Sequence, residues 1–211
     1  MIDLTINIEN DMQVYPSDPN TIIKKCFSYE DDGCLVNNIS FSSHCGTHID
    51  FPSHFIKGGK NADDYKIDDF IGKGFVIDIS YKKDNEIIYV KDISKYEEDI
   101  LKTDVLIFKT GYSKYYNTDR YLKHPYLDIE TVKYLCNKDI KICGIDCFGF
   151  DATFEDKGFD AHNIFLSNGV LLVENLTGLN KLVSGVTYDF YFIPLKLKGL
   201  EACPIRAFVK E

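Results

Sequence analysis

Along this chain apolar positions alternate with polar ones in some stretches and recur every three to four residues in others, and the two periods mark out the elements. Residues 2–8 alternate as a strand does, and 22–27 and 35–41 read as further strands. Residues 75–79 and 105–108 are short apolar runs rich in β-formers. Helical spacing runs through 92–101 and 128–136, each opening on an aspartate placed to cap it. Residues 141–145 and 170–173 are again strands, 160–166 a short helix closed by Asn168-Gly169, and 186–197 and 205–209 an extended tail. Strands come first and then alternate with helices, which predicts an α/β fold with a mixed sheet. No internal repeat, low-complexity tract or Pro/Gly/Ser linker interrupts the 211 residues, so one domain spanning 1–211 is expected.

Composition narrows the partners. A hydrophobic fraction of 45% and a charged fraction of 27% are ordinary for a globular chain. No apolar run approaches the roughly 20 residues that cross a bilayer, and the N-terminus has no basic segment followed by an apolar one. The net charge of -9 argues against nucleic acid and anionic membranes, whose binders carry a basic face. Seven cysteines without a C-x-x-C pair suit reduced thiols better than a disulfide framework. A cytoplasmic protein acting on a small molecule is expected.

Candidate chemistry concentrates in one run, His44-Cys45-Gly46-Thr47-His48-Ile49-Asp50-Phe51-Pro52-Ser53-His54, which holds three of the five histidines. Gly46, the β-branched Thr47 and Ile49, and Pro52 all disfavour a helix. On an extended segment residues 44, 46, 48 and 50 share a face, presenting His, Gly, His and Asp together and turning Cys45 away. Gly46 would then leave a gap for a metal or substrate, and Pro52 would bend the chain so that His54 returns over the site. Imidazole nitrogens with a carboxylate suit zinc, manganese or iron, and a carboxylate can bridge two ions. Far downstream, Glu174 ends the apolar run 170–173, where a carboxylate is costly unless paired or metal-bound.

The run resembles the H-x-G-T-H-x-D-x-P-x-H signature of the cyclase-like hydrolases, a family that includes bacterial kynurenine formamidases and isatin hydrolases. The likeness extends to Val14-Tyr15-Pro16-Ser17-Asp18, Gly144-Ile145-Asp146, Ala161-His162, Glu174-Asn175-Leu176 and Cys203-Pro204-Ile205-Arg206. It implies a swivelling β/β/α domain assembled as a homodimer or homotetramer. It implies two divalent ions, zinc or manganese, the first on His44, His48 and Asp50 and the second on Asp50, His162 and Glu174. His54 would move the proton while a metal-activated water attacks an amide or lactam carbonyl, as in an aryl formamide such as N-formylkynurenine or, alternatively, a cyclic amide or lactone. A metal-binding interaction protein without turnover is the reading from another class.

Departures from the kynurenine formamidase pattern fall at the substrate end. The family's Trp-Pro-Gly-Asp turn is Tyr15-Pro16-Ser17-Asp18 here, leaving Tyr15 to contact an aromatic substrate, and Gly149 stands where a serine is common. His124 is expected in a loop, the tyrosine-rich stretch 112–121 as a surface loop with packed aromatics rather than a lid, and Phe41, Phe51 and Phe55 in the core. Arg206 would bind an anion or stabilise an interface.

Overall fold

The strands in chain order are β1 (Ile2–Asp3), β2 (Ile22–Phe27), β3 (Val36–Ser40), β4 (His48–Asp50), β5 (Ile71–Asp78), β6 (Ile87–Ile88), β7 (Val105–Lys109), β8 (Tyr126–Leu127), β9 (Ile142–Ile145), β10 (Leu171–Glu174), β11 (Thr187–Pro194) and β12 (Ala202–Lys210). The helices are α1 (Tyr29–Asp32), α2 (Val90–Ile93), α3 (Glu97–Ile100), α4 (Ile129–Cys136) and α5 (Asp160–Ser167). They belong to a computed structural model that describes residues 1–153 and 158–210.

The α/β class and the mixed sheet are as expected. The main sheet has the order β1-β12-β11-β5-β7-β9-β10-β4, and β4 pairs back onto β12, closing the sheet on itself like a barrel. Strands β5, β7, β9 and β10 are parallel neighbours, whereas β4, β11 and β12 join antiparallel. The parallel strands bury both faces, which is why their sequences are continuous apolar runs. Val76, Val105, Ile107, Ile142 and Val173 point into the barrel with Ile49, Phe190 and Cys203. Phe75, Ile77, Leu106, Phe108, Cys143 and Leu172 point outward, where Val132 and Leu135 of α4 and Ala161 and Phe165 of α5 cover them. Strand β11 shows the other pattern: Tyr188, Phe190 and Phe192 are buried and alternate with Thr187 and Asp189, which are exposed, and Tyr191, which is half-buried.

Two sequence expectations change. The strand expected over 2–8 pairs in the ladder only at Ile2 and Asp3. Beyond it, hydroxyls take over from strand partners: Thr5 Oγ1 donates to Ala207 O at 3.0 Å, and Ile6 N donates to Thr47 Oγ1 at 2.9 Å. The helix expected over 92–101 divides into α2, a 3-10 turn (Ser94–Tyr96) and α3. Asp92 does not cap it; it lies in the first turn and accepts from Tyr89 N at 2.8 Å, with Lys82 Nζ 2.7 Å away. By contrast Asp128 caps α4 through Glu130 N as its position predicts. Gly169 follows α5 with φ 77°, the left-handed helix stop expected there. Among the described residues no helix is long and apolar enough to cross a membrane.

Candidate metal centre

Only the middle of the histidine run, His48–Asp50, is a strand. Residues 44–47 turn, with Gly46 at φ 62°, and β4 begins at His48. The shared face of residues 44, 46, 48 and 50 therefore holds only for His48 and Asp50. Gly46 is required for its left-handed backbone, with Met12 Cε 3.3 Å from where a Cβ would stand, and not as an opening for a ligand. Asn175, itself at φ 56°, fixes this turn: its Nδ2 donates to Gly46 O at 3.1 Å and its carbonyl accepts from Thr47 Oγ1 at 2.6 Å. Cys45 points away as expected and meets Thr21 Oγ1 and Met12 Sδ.

Register then brings the distant residues in. In the β4–β10 ladder Glu174 is the direct partner of His48. Helix α5 delivers His162, and its first turn is anchored by Asp151, which accepts from Ala161 N at 2.9 Å and His162 N at 3.1 Å. Pro52 starts a 3-10 turn, Pro52–His54, that swings the His54 ring to 4.2 Å from that of His44 and 6.2 Å from that of His162.

Asp50 is the hub. Its Oδ1 lies 3.0 Å from His44 Nδ1 and 3.4 Å from His48 Nε2, and its Oδ2 lies 3.7 Å from His162 Nε2. Glu174 Oε1 lies 3.0 Å from His162 Nε2 and its Oε2 3.5 Å from His48 Nε2. Two groups of three result, His44–His48–Asp50 and Asp50–His162–Glu174, each with ligand atoms within 4.8 Å of one another. Despite these short distances both Asp50 oxygens, Glu174 Oε1 and His48 Nε2 are buried without hydrogen-bond geometry to any described partner. Buried carboxylate oxygens left this way are costly, and a cation between them removes the cost. The donor set of imidazole nitrogens and carboxylates fits a divalent transition metal.

The outer nitrogens of the histidines are held as in metal sites, where a second acceptor fixes the tautomer. His48 Nδ1 meets Gly46 O at 2.9 Å, His162 Nδ1 meets Asp151 Oδ2 at 2.6 Å, and His44 Nε2 lies 3.6 Å from Glu201 Oε1. A carbonyl and a carboxylate only accept, so the inner nitrogens of His48 and His162 are free to bind when the rings are neutral. Burial opposes ionisation of Asp50 and Glu174, but His44 and His162 respectively hold both carboxyls below the usual range. Burial likewise opposes charge on His44, yet Asp50 and Glu201 push it up to about 10, and Glu174 and Asp151 raise His162. Without a cation the carboxylates and these two imidazoles thus hold one another charged. His54 differs: burial pulls it below the ordinary imidazole value, and no hydrogen bond among the described residues holds its ring nitrogens.

These groups floor a cavity of about 240 Å³ whose walls include Tyr15, Phe55, Phe148 and Phe159. Tyr15 packs edge-on to Phe148 at 5.9 Å and donates to Thr153 O at 3.3 Å. Phe51 is core as expected, but Phe55 faces the cavity. A Cβ on Gly149 would stand 2.7 Å from Glu174 Oε1, so a serine there needs the carboxylate to move. His124 lies in a loop as expected and is buried there, bonded to Pro125 O and Thr153 Oγ1. Tyr112 and Tyr121 are buried in the outer core and do not line the cavity, and Arg206 pairs with Asp3 at the surface. Sequence reasoning missed Asp151 and Glu201 as partners of the histidines. Glu201 stands 158 positions from Ser43, to which it is bonded, and no local spacing joins them.

The chain is similar over nearly its whole length to known proteins. The chain is 29% identical to a kynurenine formamidase of Bacillus thuringiensis subsp. konkukian (strain 97-27), over 99% of this chain and 96% of the relative. A solved structure described as a potential metal-dependent hydrolase with cyclase activity superposes with a TM-score of 0.82 at 29% identity, covering 99% of this chain and 97% of its own. An isatin hydrolase bound to the product analogue thioisatinate gives a TM-score of 0.87 at 23% identity, covering 99% and 90%, a likeness of fold. The family described as Putative cyclase matches residues 2–152, a segment that begins in β1 and runs past both the histidine turn and Asp151, and the chain belongs to that family.

Proposed function

We propose that the chain is a metal-dependent hydrolase that cleaves an amide C–N bond in a small molecule, with an aryl formamide of the N-formylkynurenine kind as the leading substrate class. The observation that carries this is the pair of buried carboxylates, Asp50 and Glu174, which face three histidines at the floor of a cavity with both Asp50 oxygens and Glu174 Oε1 lacking hydrogen-bond partners. The kynurenine formamidase relative and the metal-dependent hydrolase neighbour support the same reaction class. His44, His48 and Asp50 would hold one ion and Asp50, His162 and Glu174 another, zinc or manganese. When bound, such ions supply Lewis acidity, acidifying water at neutral pH and polarising a carbonyl oxygen.

The chain's own residues do the rest. His54 overhangs both groups, and an imidazole exchanges protons near neutrality, so it takes a proton from the attacking water and returns it to the leaving nitrogen. Gly46 O, Asp151 and Glu201 keep the three ligand rings turned inward. Tyr15, Phe55, Phe148 and Phe159 offer faces and edges to an aromatic ring and keep water from it. The enzyme works as a homodimer or homotetramer in the cytoplasm, in keeping with its free cysteines, and uses neither nucleic acid nor membrane.

The test is metal analysis joined to turnover. Thorough chelation should abolish hydrolysis and zinc or manganese should restore it. His54→Ala should abolish turnover with metal content unchanged. Undiminished activity after chelation would overturn the proposal. A panel with an aryl formamide, isatin and a lactone then separates the linear amide from the cyclic alternatives.

A further inference from the structure

A serine occupies a glycine position in the turn at the cavity mouth. Asp18 N donates to Tyr15 O at 2.9 Å, Pro16 takes the second place of the turn and Ser17 the third, with φ 84°. A turn of this type II pattern needs a left-handed backbone at its third place, which glycine adopts freely and serine only against its own Cβ. The kynurenine formamidase pattern carries glycine there. A strained residue retained at a site points to a use for its side chain. Ser17 is exposed, lines the cavity, and makes no side-chain hydrogen bond among the described residues.

Asp18 lines the cavity beside it and is half-buried. Its Oδ2 accepts from Ser42 Oγ at 3.4 Å, and Ser42 Oγ accepts from His44 N at 3.2 Å, which ties the carboxylate to the backbone of His44. The other polar side chains of the wall are engaged elsewhere. Tyr15 Oη donates to Thr153 O, and the Asn175 amide donates to Gly46 O and accepts from Tyr121 Oη at 2.8 Å. Among the described residues no lysine or arginine lines the cavity. Above the histidine floor the wall is therefore apolar, formed by Phe55, Phe148, Phe159 and the Tyr15 ring, with one hydroxyl and one carboxylate at the rim. Few placed polar groups on an apolar wall are what orients a small molecule. A carboxylate, a hydroxyl and an aromatic ring together suit a protonated amine. Burial raises the Tyr15 phenol, and Asp18 pushes the same way with Glu174 and Asp151, so its field reaches the ring.

We propose that Ser17 and Asp18 form a rim subsite for a protonated amine carried on the substrate's aromatic ring, away from the amide that is cleaved. The subsite rests on the aryl-amide reading above and narrows it to substrates with a cationic tail.

Three para-substituted formanilides, with ammoniomethyl, ethyl and carboxylatomethyl tails, test it on the full chain with zinc or manganese supplied. KM should be lowest for the ammonium tail and highest for the carboxylate, with the ammonium favoured over the ethyl by about 3–10-fold. Higher ionic strength should shrink that ratio. Asp18→Asn keeps an acceptor for Ser42 and should bring the ammonium-to-ethyl ratio close to unity. Ser17→Gly should lower the ratio about 2–3-fold while raising Tm by about 1–3 °C, because the backbone strain is relieved. A serine kept for the fold alone would move Tm the other way, so a lower Tm in Ser17→Gly overturns the subsite. Equal KM values for the ammonium and ethyl tails, or an unchanged ratio in Asp18→Asn, also overturn it. Titration calorimetry with the matching anilines, para-ammoniomethyl against para-ethyl, separates the subsite from the reaction. A lower Kd for the ammonium without hydrolysis of any formanilide would remove the hydrolase proposal and leave the subsite standing. Hydrolysis with equal Kd values for the two anilines would do the reverse.

Discussion

Asp151→Asn isolates the support of one proposed ligand without touching the ligand itself. Asp151 accepts three N–H groups: Ala161 N on Oδ1, and His162 N and His162 Nδ1 on Oδ2, the last at 2.6 Å. Asparagine keeps the shape but has a single acceptor oxygen. With that oxygen turned to His162, the new amide faces Ala161 N–H and one helix-start donor is lost. The imidazole also loses the anionic partner that fixes its tautomer and strengthens it as a ligand. Outer-partner changes of this kind cost about 10–100-fold in metal affinity, or about 1.4–2.7 kcal/mol. A lost hydrogen bond to a charged acceptor costs about 1.5–3 kcal/mol of stability, a fall in Tm of about 3–12 °C for a chain of this size. Because His44 and His48 have other outer partners, the loss should fall on the Asp50–His162–Glu174 position alone. Competition against a chelator of known affinity, with metal content measured at each step, resolves two ions released at different strengths. Two ions held as tightly as in the wild-type chain, or both weakened equally in a folded protein, would refute the reasoning.

Asp50→Ala should remove both ions, since Asp50 faces both groups, whereas Glu201→Gln should weaken only the position that includes His44; elemental analysis after dialysis distinguishes them. Tyr15→Ala should raise KM for an aryl formamide about 2–10-fold, the worth of one aromatic contact, with metal content unchanged; a fall in kcat at constant KM would count against a binding role. Burial holds His124 below the ordinary imidazole value. The unfolded chain therefore binds the proton first, so its contribution to stability is full above pH about 6.5 and is lost as pH falls through and below that value. Urea midpoints across that window should fall on acidification more steeply in the wild-type chain than in His124→Gln, and equal slopes would exclude this histidine.

The sequence carried the elements and the chemistry wherever the cause was local. Helices α4 and α5 follow their apolar periods and caps because propensity, pattern and tertiary demand agree there. The clustered histidines, the exclusion of Cys45 and the return of His54 after Pro52 could be argued from residues 44–54 alone. The period failed where a side chain supplied the partner a strand would have used, as at Thr5 and Thr47, or where Asp92 served a backbone amide inside the first turn instead of capping.

Closure was decided in three dimensions. No pattern within β4 or β12 announces that Asp50 pairs with Leu172 on one edge and Ala202 on the other, yet that double pairing closes the sheet and sets Glu174 across from His48. The same holds for Asp151 behind His162 and Glu201 behind His44. Their contacts join segments far apart in sequence, and a hydrogen bond leaves no period in the chain that makes it. Local sequence specifies which residues can bind a cation or move a proton; the register of a closed sheet specifies which of them meet.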